Sequence, residues 1–299
     1  MGKFEPPPVS VKLTLLGVGG QGNGGNDTQK GGLNLIIKDQ QAAVLLGKAL
    51  FWDIQVGSNG ETCATCHFHA GEDNRVRNTV NPGKNGVFEV VSGPNAKLSI
   101  DNFPLHDFAA ENPVDDVVGS QGTFGGTFSH IVMDDGASPN HGPSESCEKQ
   151  ADGTFKVGTI GVRKVTGRNA PSVINACMNF RNFWDGRANN VFNGVNPFGR
   201  RSEDATIWMA DGTGVAQQAQ LEAENASCAS QAVGPSLNDT EMSGGGKKFA
   251  DLGRKLLASS ALAKQKVHYA DSVFRGYVRP LSPAEMKAPS QFRRCATAA

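Results

Sequence analysis

Cys63-Ala64-Thr65-Cys66-His67 is the stretch of this chain whose residue types and spacing define a chemistry. C-x-x-C-H is the spacing at which two thiols add across the vinyl groups of one haem. One helical turn separates the sulfurs, so both point toward the same porphyrin edge. His67 follows directly, with an imidazole nitrogen free to coordinate the iron as proximal ligand. The reading is one covalent haem c held by Cys63, Cys66 and His67. A lone C-x-x-C also serves zinc and thiol redox sites. Structural zinc needs a second ligand pair, however, and the sequence has no other C-x-x-C and no H-x-x-x-H. A redox dithiol has no need of the adjacent histidine.

The elements around this motif must position it. Asp39 can cap a helix whose alanines and leucines give an apolar face through to Phe51, just before the motif. Pro6-Pro7-Pro8 and the Gly-, Asn- and Gln-rich stretch from Gly17 to Gly32 read as an extended arm and a linker. From Gly86 to Val165 short runs such as Val87 to Val91 and Thr154 to Val162 are broken by Gly, Pro, Asn and Asp, which predicts loops with one or two hairpins. Helical character resumes at Pro171 through Val173, Ile174 and Cys177, then at Val215 to Ala232 and Lys247 to Ser259. Met133 and Met178 read as core residues.

Composition sets outer bounds. The chain has 299 residues, enough for one large or two modest domains with a real core. Its 29 Lys+Arg balance 29 Asp+Glu, so no broad charged field for nucleic acid follows. The 37 glycines and 7% aromatic content suggest long irregular connections wrapped around a cofactor. No run of eighteen apolar residues exists, so no transmembrane segment is expected. The start lacks the organisation of a secretory signal, whereas haem c is attached outside the cytoplasm; a mature or edited start reconciles the two. Beyond the haem pair stand Cys147, Cys177, Cys228 and Cys295, which allow up to two disulfides in three full pairings. Cys177, in an apolar stretch, reads as a buried thiol. Cys147 with Cys228 is the favoured single bridge, since both have polar surroundings.

Three further blocks carry a family resemblance: Leu46-Gly-Lys-Ala-Leu-Phe-Trp-Asp53 leading into the haem motif, Thr166-Gly-Arg-Asn-Ala-Pro-Ser-Val-Ile-Asn175 followed by Asn182-Phe-Trp-Asp-Gly-Arg-Ala188, and Gln231-Ala-Val-Gly-Pro-Ser-Leu-Asn-Asp-Thr-Glu-Met242. In this order they resemble the amino-terminal, peroxidatic half of the bacterial di-haem cytochrome c peroxidases. The methylamine-utilisation di-haem enzymes share that half. The resemblance implies Gln231 and Glu241 over the open face of a peroxidatic haem, Glu241 as proton shuttle and Gln231 as the amide orienting peroxide. Peroxide heterolysis needs such a base. Glu241 is equally open to reading as a capping-box residue after Asn238, and Ser282 with Glu285 repeats that pattern. The resemblance further implies Trp184 as a residue that helps electrons pass, Arg187 as a haem-propionate or loop-bracing cation, and Asn169 as a contributor to a calcium site. By residue type alone Trp184 is a core aromatic, Arg187 a surface charge and Asn169 a turn residue.

Family members often carry a distal histidine in the segment after the haem motif. His106, His130 and His141 are the candidates here, with His130 preferred because it follows an apolar-alternating Gly-Thr-Phe run. His69 lies too close to His67 to reach the opposite haem face. The pattern departs from the family in two respects. The gaps between His67 and Arg168 and between Arg187 and Gln231 are long, as in an enlarged, loop-rich branch. No second C-x-x-C-H is present, so the second haem belongs to a missing domain, to another polypeptide, or to neither.

The expected fold is mainly α, a cytochrome c-like haem domain with long irregular loops and one or two short β-hairpins. Its expected parts are an arm and linker at 1–38, a haem domain at 39–260 with an insertion at 85–165, and an extension at 261–299. The expected function is peroxide reduction at a His-ligated haem c, periplasmic or extracellular, with electrons from a cytochrome or cupredoxin. Two alternatives stand: an electron-transfer subunit of a multi-haem assembly, and high-valent haem oxidation of a protein or organic substrate.

Overall fold

The computed structural model describes residues 3–4, 28–31, 36–37, 39–69, 71–106, 114–133, 142–150, 152–210, 213–268, 270–274 and 278–279. Pro6 to Pro8, His141, Glu285 and Cys295 lie outside the described residues. The chain forms two units. The first comprises Met1–Glu5, Ala49–Ile174 and Ser236–Ala299; the second comprises Pro6–Lys48 and Asn175–Pro235.

The expectation of a mainly α protein is overturned. Among the described residues there are four α-helices: α1 Gln40–Trp52, α2 Cys63–Cys66, α3 Ser227–Ala232 and α4 Phe249–Leu257. Against them stand strands β1 Lys3–Phe4, β2 Thr28–Gly31, β3 Val80–Asn81, β4 Val117–Val118, β5 Thr127–Val132, β6 Ser144–Glu148, β7 Lys156–Val157, β8 Ile160–Gly161, β9 Ile207–Ala210, β10 Ala216–Ala223 and β11 Val278–Arg279.

Two of the expected helices account for much of the error. The helix read across Val215 to Ala232 is strand β10 followed by α3. Leu221 and Ala223 are buried while Gln220 and Glu222 are less so, a period of two that suits a strand. β10 pairs parallel to β2 and antiparallel to β9, which completes its ladder on both edges. Asn225, with φ +54°, turns the chain into α3. The helix read from Pro171 shrinks to a 3-10 turn at Ala176–Met178, because Asn175 adopts a left-handed φ of +59°. With that helix gone, Cys177 is exposed, not buried. Met178 is 81% and Met133 53% exposed, so neither is a core residue.

Where end signals are strong, helices follow. Asp39 Oδ1 accepts from Ala42 N at 2.9 Å at the start of α1. In α4, Asp251 stands in the first turn and Arg254 and Lys255 in the last, matching the helix dipole.

In the first unit, β5–β6 and β7–β8 are antiparallel hairpins within the expected insertion. Val87 to Val91 is bent, not extended, and packs Phe88, Val90 and Val91 on a cluster of Val80, Leu98 and Leu105. A second cluster joins Val56, Met242 and Leu252 to Leu50, Cys63 and Leu256. The second unit has its own core of Leu221, Ala223 and Ala226, with Phe192, Ile207 and Ala229 against it.

Cys228 is not in a disulfide, so the bridge favoured between Cys147 and Cys228 is not formed. Burial, and then the Cys177 thiol nearby, push the Cys228 thiol upward.

Candidate functional site

The haem-type motif is built on a single capped helical turn. Thr62 Oγ1 accepts from Ala64 N at 3.1 Å, and Thr65 Oγ1 accepts from Thr62 N at 2.9 Å, so α2 is closed by reciprocal caps. Thr62 Oγ1 also donates to Phe51 O, tying the turn to the end of α1. That end is itself fixed. Asp53, 1% exposed, accepts from Gln55 N at 2.9 Å and Leu262 N at 2.7 Å, and Gln265 donates to Trp52 O at 2.7 Å.

His67 Nδ1 lies 2.9 Å from both Gly71 O and Pro171 O. A ring nitrogen facing two carbonyls must carry the proton, which leaves Nε2 as the nitrogen with a lone pair. The imidazole is thus oriented, and its tautomer fixed, for ligation through Nε2. Gly71 makes this arrangement close: its φ is +78°, and its carbonyl also accepts from Val173 N at 3.0 Å. A Cβ at Gly71 would stand 2.8 Å from Val173 N and 2.5 Å from its Cγ2. Gly71→Ala is therefore expected to cost about 1–3 kcal/mol of stability. It should also shift the haem absorption bands as His67 loses its carbonyl partners; thermal unfolding and a visible spectrum of the holoprotein check both.

The two thiols are half-buried. Cys63 packs on Val56, Met242 and Leu252. Cys66 Sγ donates to Gln121 O at 3.2 Å, and Arg75 Nη2 stands 4.0 Å from the same sulfur. Arg75 is held by Asp73 Oδ1 at 2.8 Å from its Nε and lies over the Phe68 ring at 5.4 Å. Burial raises the Cys63 thiol. Burial pushes the Cys66 thiol up to about 11; Arg75 pulls it down, and the Asp73 and Glu241 carboxylates push it further up. Thiols so placed are poor metal-free nucleophiles. Their spacing on one turn, the apolar packing of Cys63 and the oriented Nε2 of His67 fit covalent haem.

A polar segment at 119–123 joins these pieces. Thr166 N donates to Ser120 O at 2.9 Å, and Gly122 N to Lys164 O at 2.9 Å, pairing it with 164–166. Asn169 Nδ2 donates to Gly119 O at 3.3 Å. On its other side, Thr123 N donates to Thr240 O at 2.8 Å and Thr123 Oγ1 to Asp239 O at 2.8 Å. A Cβ at Gly122 would fall on Thr240 O, so only glycine permits this approach. The segment therefore carries Cys66 on one side and the turn bearing Glu241 on another. In that turn Asn238 Oδ1 accepts from Thr240 N at 2.9 Å and Glu241 N at 3.0 Å. Asn238 thus caps Glu241's backbone, within a turn and not at a helix start. A cavity of about 340 Å³ opens beside it, lined by Lys164, Thr166, Asn238, Thr240 and Glu241 among others, and without His67 or either thiol.

Cys63, Cys66, His67, Asn169 and Glu241 thus belong to the first unit. Trp184, Arg187 and Gln231 belong to the second. Trp184 is 68% exposed, not a core aromatic. Arg187 pairs with Asp185 Oδ2 at 2.9 Å and stands over the Phe183 ring at 3.8 Å, bracing its loop. Gln231 is half-buried near the end of α3. His130 lies exposed on β5, 3.1 Å from Ser129 Oγ, and His106 Nδ1 bonds to Val114 O at 2.7 Å. Sequence reasoning missed Gly71, Asp73, Arg75 and Gln121. Arg75 and Asp73 at i, i+2 carried a weak signal; Gln121 and Pro171 act through backbone carbonyls and carried none.

An oriented imidazole beside two thiols on one helical turn is a donor set that suits haem c. A family model described as di-haem cytochrome c peroxidase matches residues 133–296, more than half the chain, and the chain belongs to that family. The match takes in the Arg-Asn-Ala-Pro, Phe-Trp-Asp-Gly-Arg and Gln231 to Met242 blocks and begins beyond Cys63 to His67. No curated protein and no solved structure matches the chain.

Proposed function

We propose that this protein reduces hydrogen peroxide at a haem c held by Cys63, Cys66 and His67, with Glu241 moving the proton. The observation that carries the reading is the pair of Thr123 hydrogen bonds to Thr240 O and Asp239 O, which hold the turn bearing Glu241 against the segment whose Gln121 carbonyl accepts from Cys66 Sγ. Bound haem c supplies the iron that binds peroxide and stores its oxidising equivalents.

The chain's own residues do the rest. His67, its Nδ1–H donating to Gly71 O and Pro171 O, presents Nε2 in a fixed direction, and those bonds raise its basicity as a ligand. Glu241 takes a proton from the oxygen that binds and returns it to the oxygen that leaves. The polar cavity on which Glu241 lies gives its carboxylate contact with solvent protons. Gln231 orients the oxygen through its amide. Electrons enter through Trp184, whose exposed indole suits contact with a donor such as a small cytochrome or cupredoxin. No helix among the described residues is long and apolar enough to cross a membrane. Haem c is attached outside the cytoplasm, which supports a periplasmic or extracellular location.

The test is an absorption and paramagnetic resonance spectrum of the as-isolated and half-reduced holoprotein, before and after hydrogen peroxide. A high-spin ferric signal that peroxide consumes is expected. A low-spin, six-coordinate spectrum indifferent to peroxide in both redox states would overturn the reading in favour of an electron carrier.

A further inference from the structure

The β3–β4 ladder pairs Val80 with Val118 and Asn81 with Val117, which sets the residues just after β3 beside those just before β4. Glu89, Asp115 and Asp116 meet there, with one carboxylate oxygen from each within 4.8 Å of the others. Asp116 is fully buried at 0% exposure. Its Oδ2 accepts from Glu89 N and Val90 N, both at 2.9 Å, while its Oδ1 is buried with no hydrogen-bond partner among the described residues. Asp115 repeats the pattern: Oδ2 accepts from Lys84 N at 2.7 Å, and Oδ1 is buried with no hydrogen-bond partner among the described residues. Two buried, unpartnered carboxylate oxygens beside a third carboxylate make a costly arrangement unless a cation completes it.

We propose that Glu89, Asp115 and Asp116 form a calcium site. The donors are all oxygen, with no histidine or cysteine among them, which favours a hard cation over zinc or copper. They sit on an irregular turn, and calcium accepts irregular shells of six to eight oxygens where magnesium demands a near-ideal octahedron. The site is remote in sequence from Asn169 and does not use it. Asp116 leads through β4 into the segment of Gly119 and Gln121, so bound calcium would stiffen the approach to the carbonyl partner of Cys66.

Chelator-treated holoprotein is dialysed to equilibrium against calcium chloride from about 10⁻⁵ to 10⁻³ M. Three proteins are compared: wild type, Glu89→Gln/Asp115→Asn, and Asn169→Ala. Asp116 is left intact because its Oδ2 holds two backbone amides, and circular dichroism confirms that each variant is folded. Wild type should bind one calcium per chain more than Glu89→Gln/Asp115→Asn, Asn169→Ala should keep the calcium that the double variant lacks, and magnesium chloride at the same concentrations should not displace it. Equal stoichiometry in wild type and the folded double variant, or displacement by equal magnesium, would overturn the proposal.

Discussion

Glu145→Ala is expected to destabilise the protein by about 3–5 kcal/mol, the cost of leaving buried charges without their partner. Glu145 Oε1 accepts from Lys255 Nζ at 2.5 Å and from Lys247 Nζ at 3.0 Å. Side-chain exposure is 2% for Glu145, 0% for Lys247 and 4% for Lys255, so one carboxylate compensates two dry ammonium groups. Lys255 also donates to Gly57 O at 3.0 Å and Lys247 to Ser58 Oγ at 3.1 Å. The cluster therefore clamps the loop that runs into Thr62 and Cys63, and its loss should loosen the attachment turn as well as the fold. Urea unfolding of the holoprotein, followed by circular dichroism and by the haem band, measures both. Replacing all three residues with apolar ones of similar size (Glu145→Leu, Lys247→Met, Lys255→Met) should cost far less than Glu145→Ala alone, because no charge is then stranded. A loss below about 1 kcal/mol for Glu145→Ala would show that water reaches the two lysines.

The same cluster sets an acid limit. Burial pushes the Glu145 carboxyl up, but Lys255 and Lys247 more than offset that and hold it below the usual range. The ion pair pulls Lys255 upward in turn; there burial outweighs it, with the second ammonium of Lys247 adding to burial, and Lys255 is held low. A carboxyl with a depressed folded pKa contributes stability that is present above its unfolded value, about 4.3. That stability falls away as the pH drops through the folded pKa. Wild type should therefore lose stability below about pH 4 more steeply than the triple apolar variant.

What the sequence revealed was local, and what it hid was pairing between distant segments. Asp39 and the Ala-Leu face announced α1, and the Cys63 to Cys66 spacing announced a single helical turn with both thiols on it, because caps and motif act within a few residues. Ala216 to Ala223 reads as helical by composition, since alanine, glutamine, leucine and glutamate are all helix formers. Its strand state depends on partners at Thr28–Gly31 and Ile207–Ala210, which no local pattern discloses. The same holds at the site. His67 was visible as a candidate ligand; the carbonyl of Pro171 that orients it lies 104 residues away and contributes backbone only. Gly71 and Gly122 matter because chain passes close to them, at Val173 and Thr240, and neither approach can be read from glycine's presence in a glycine-rich chain.

Glu241→Gln is expected to lower peroxide turnover by about 10²–10⁴-fold, the range that a positioned acid–base group supplies. Glutamine keeps the size and the hydrogen-bonding length of the side chain, and the turn that holds it depends on Asn238 Oδ1 bonding to the backbone of Thr240 and Glu241, not on the carboxylate. The fold and the haem band should therefore survive, and the loss should appear in turnover alone. Asn238→Ala makes the complementary change: it removes the two turn bonds and keeps the carboxylate, so its effect should be smaller and should include a loss of stability. The Cys66 environment provides a second readout that needs no catalysis. Glu241 pushes the Cys66 thiol upward, so in protein before haem attachment Glu241→Gln should lower that pKa from about 11, and alkylation of Cys66 at fixed pH should quicken. If alkylation responds while turnover with bound haem is unchanged, Glu241 lies near the attachment sulfur but moves no proton. The acid would then have to be sought elsewhere, beginning with Glu285 in the Pro280-Leu-Ser-Pro-Ala-Glu-Met286 block.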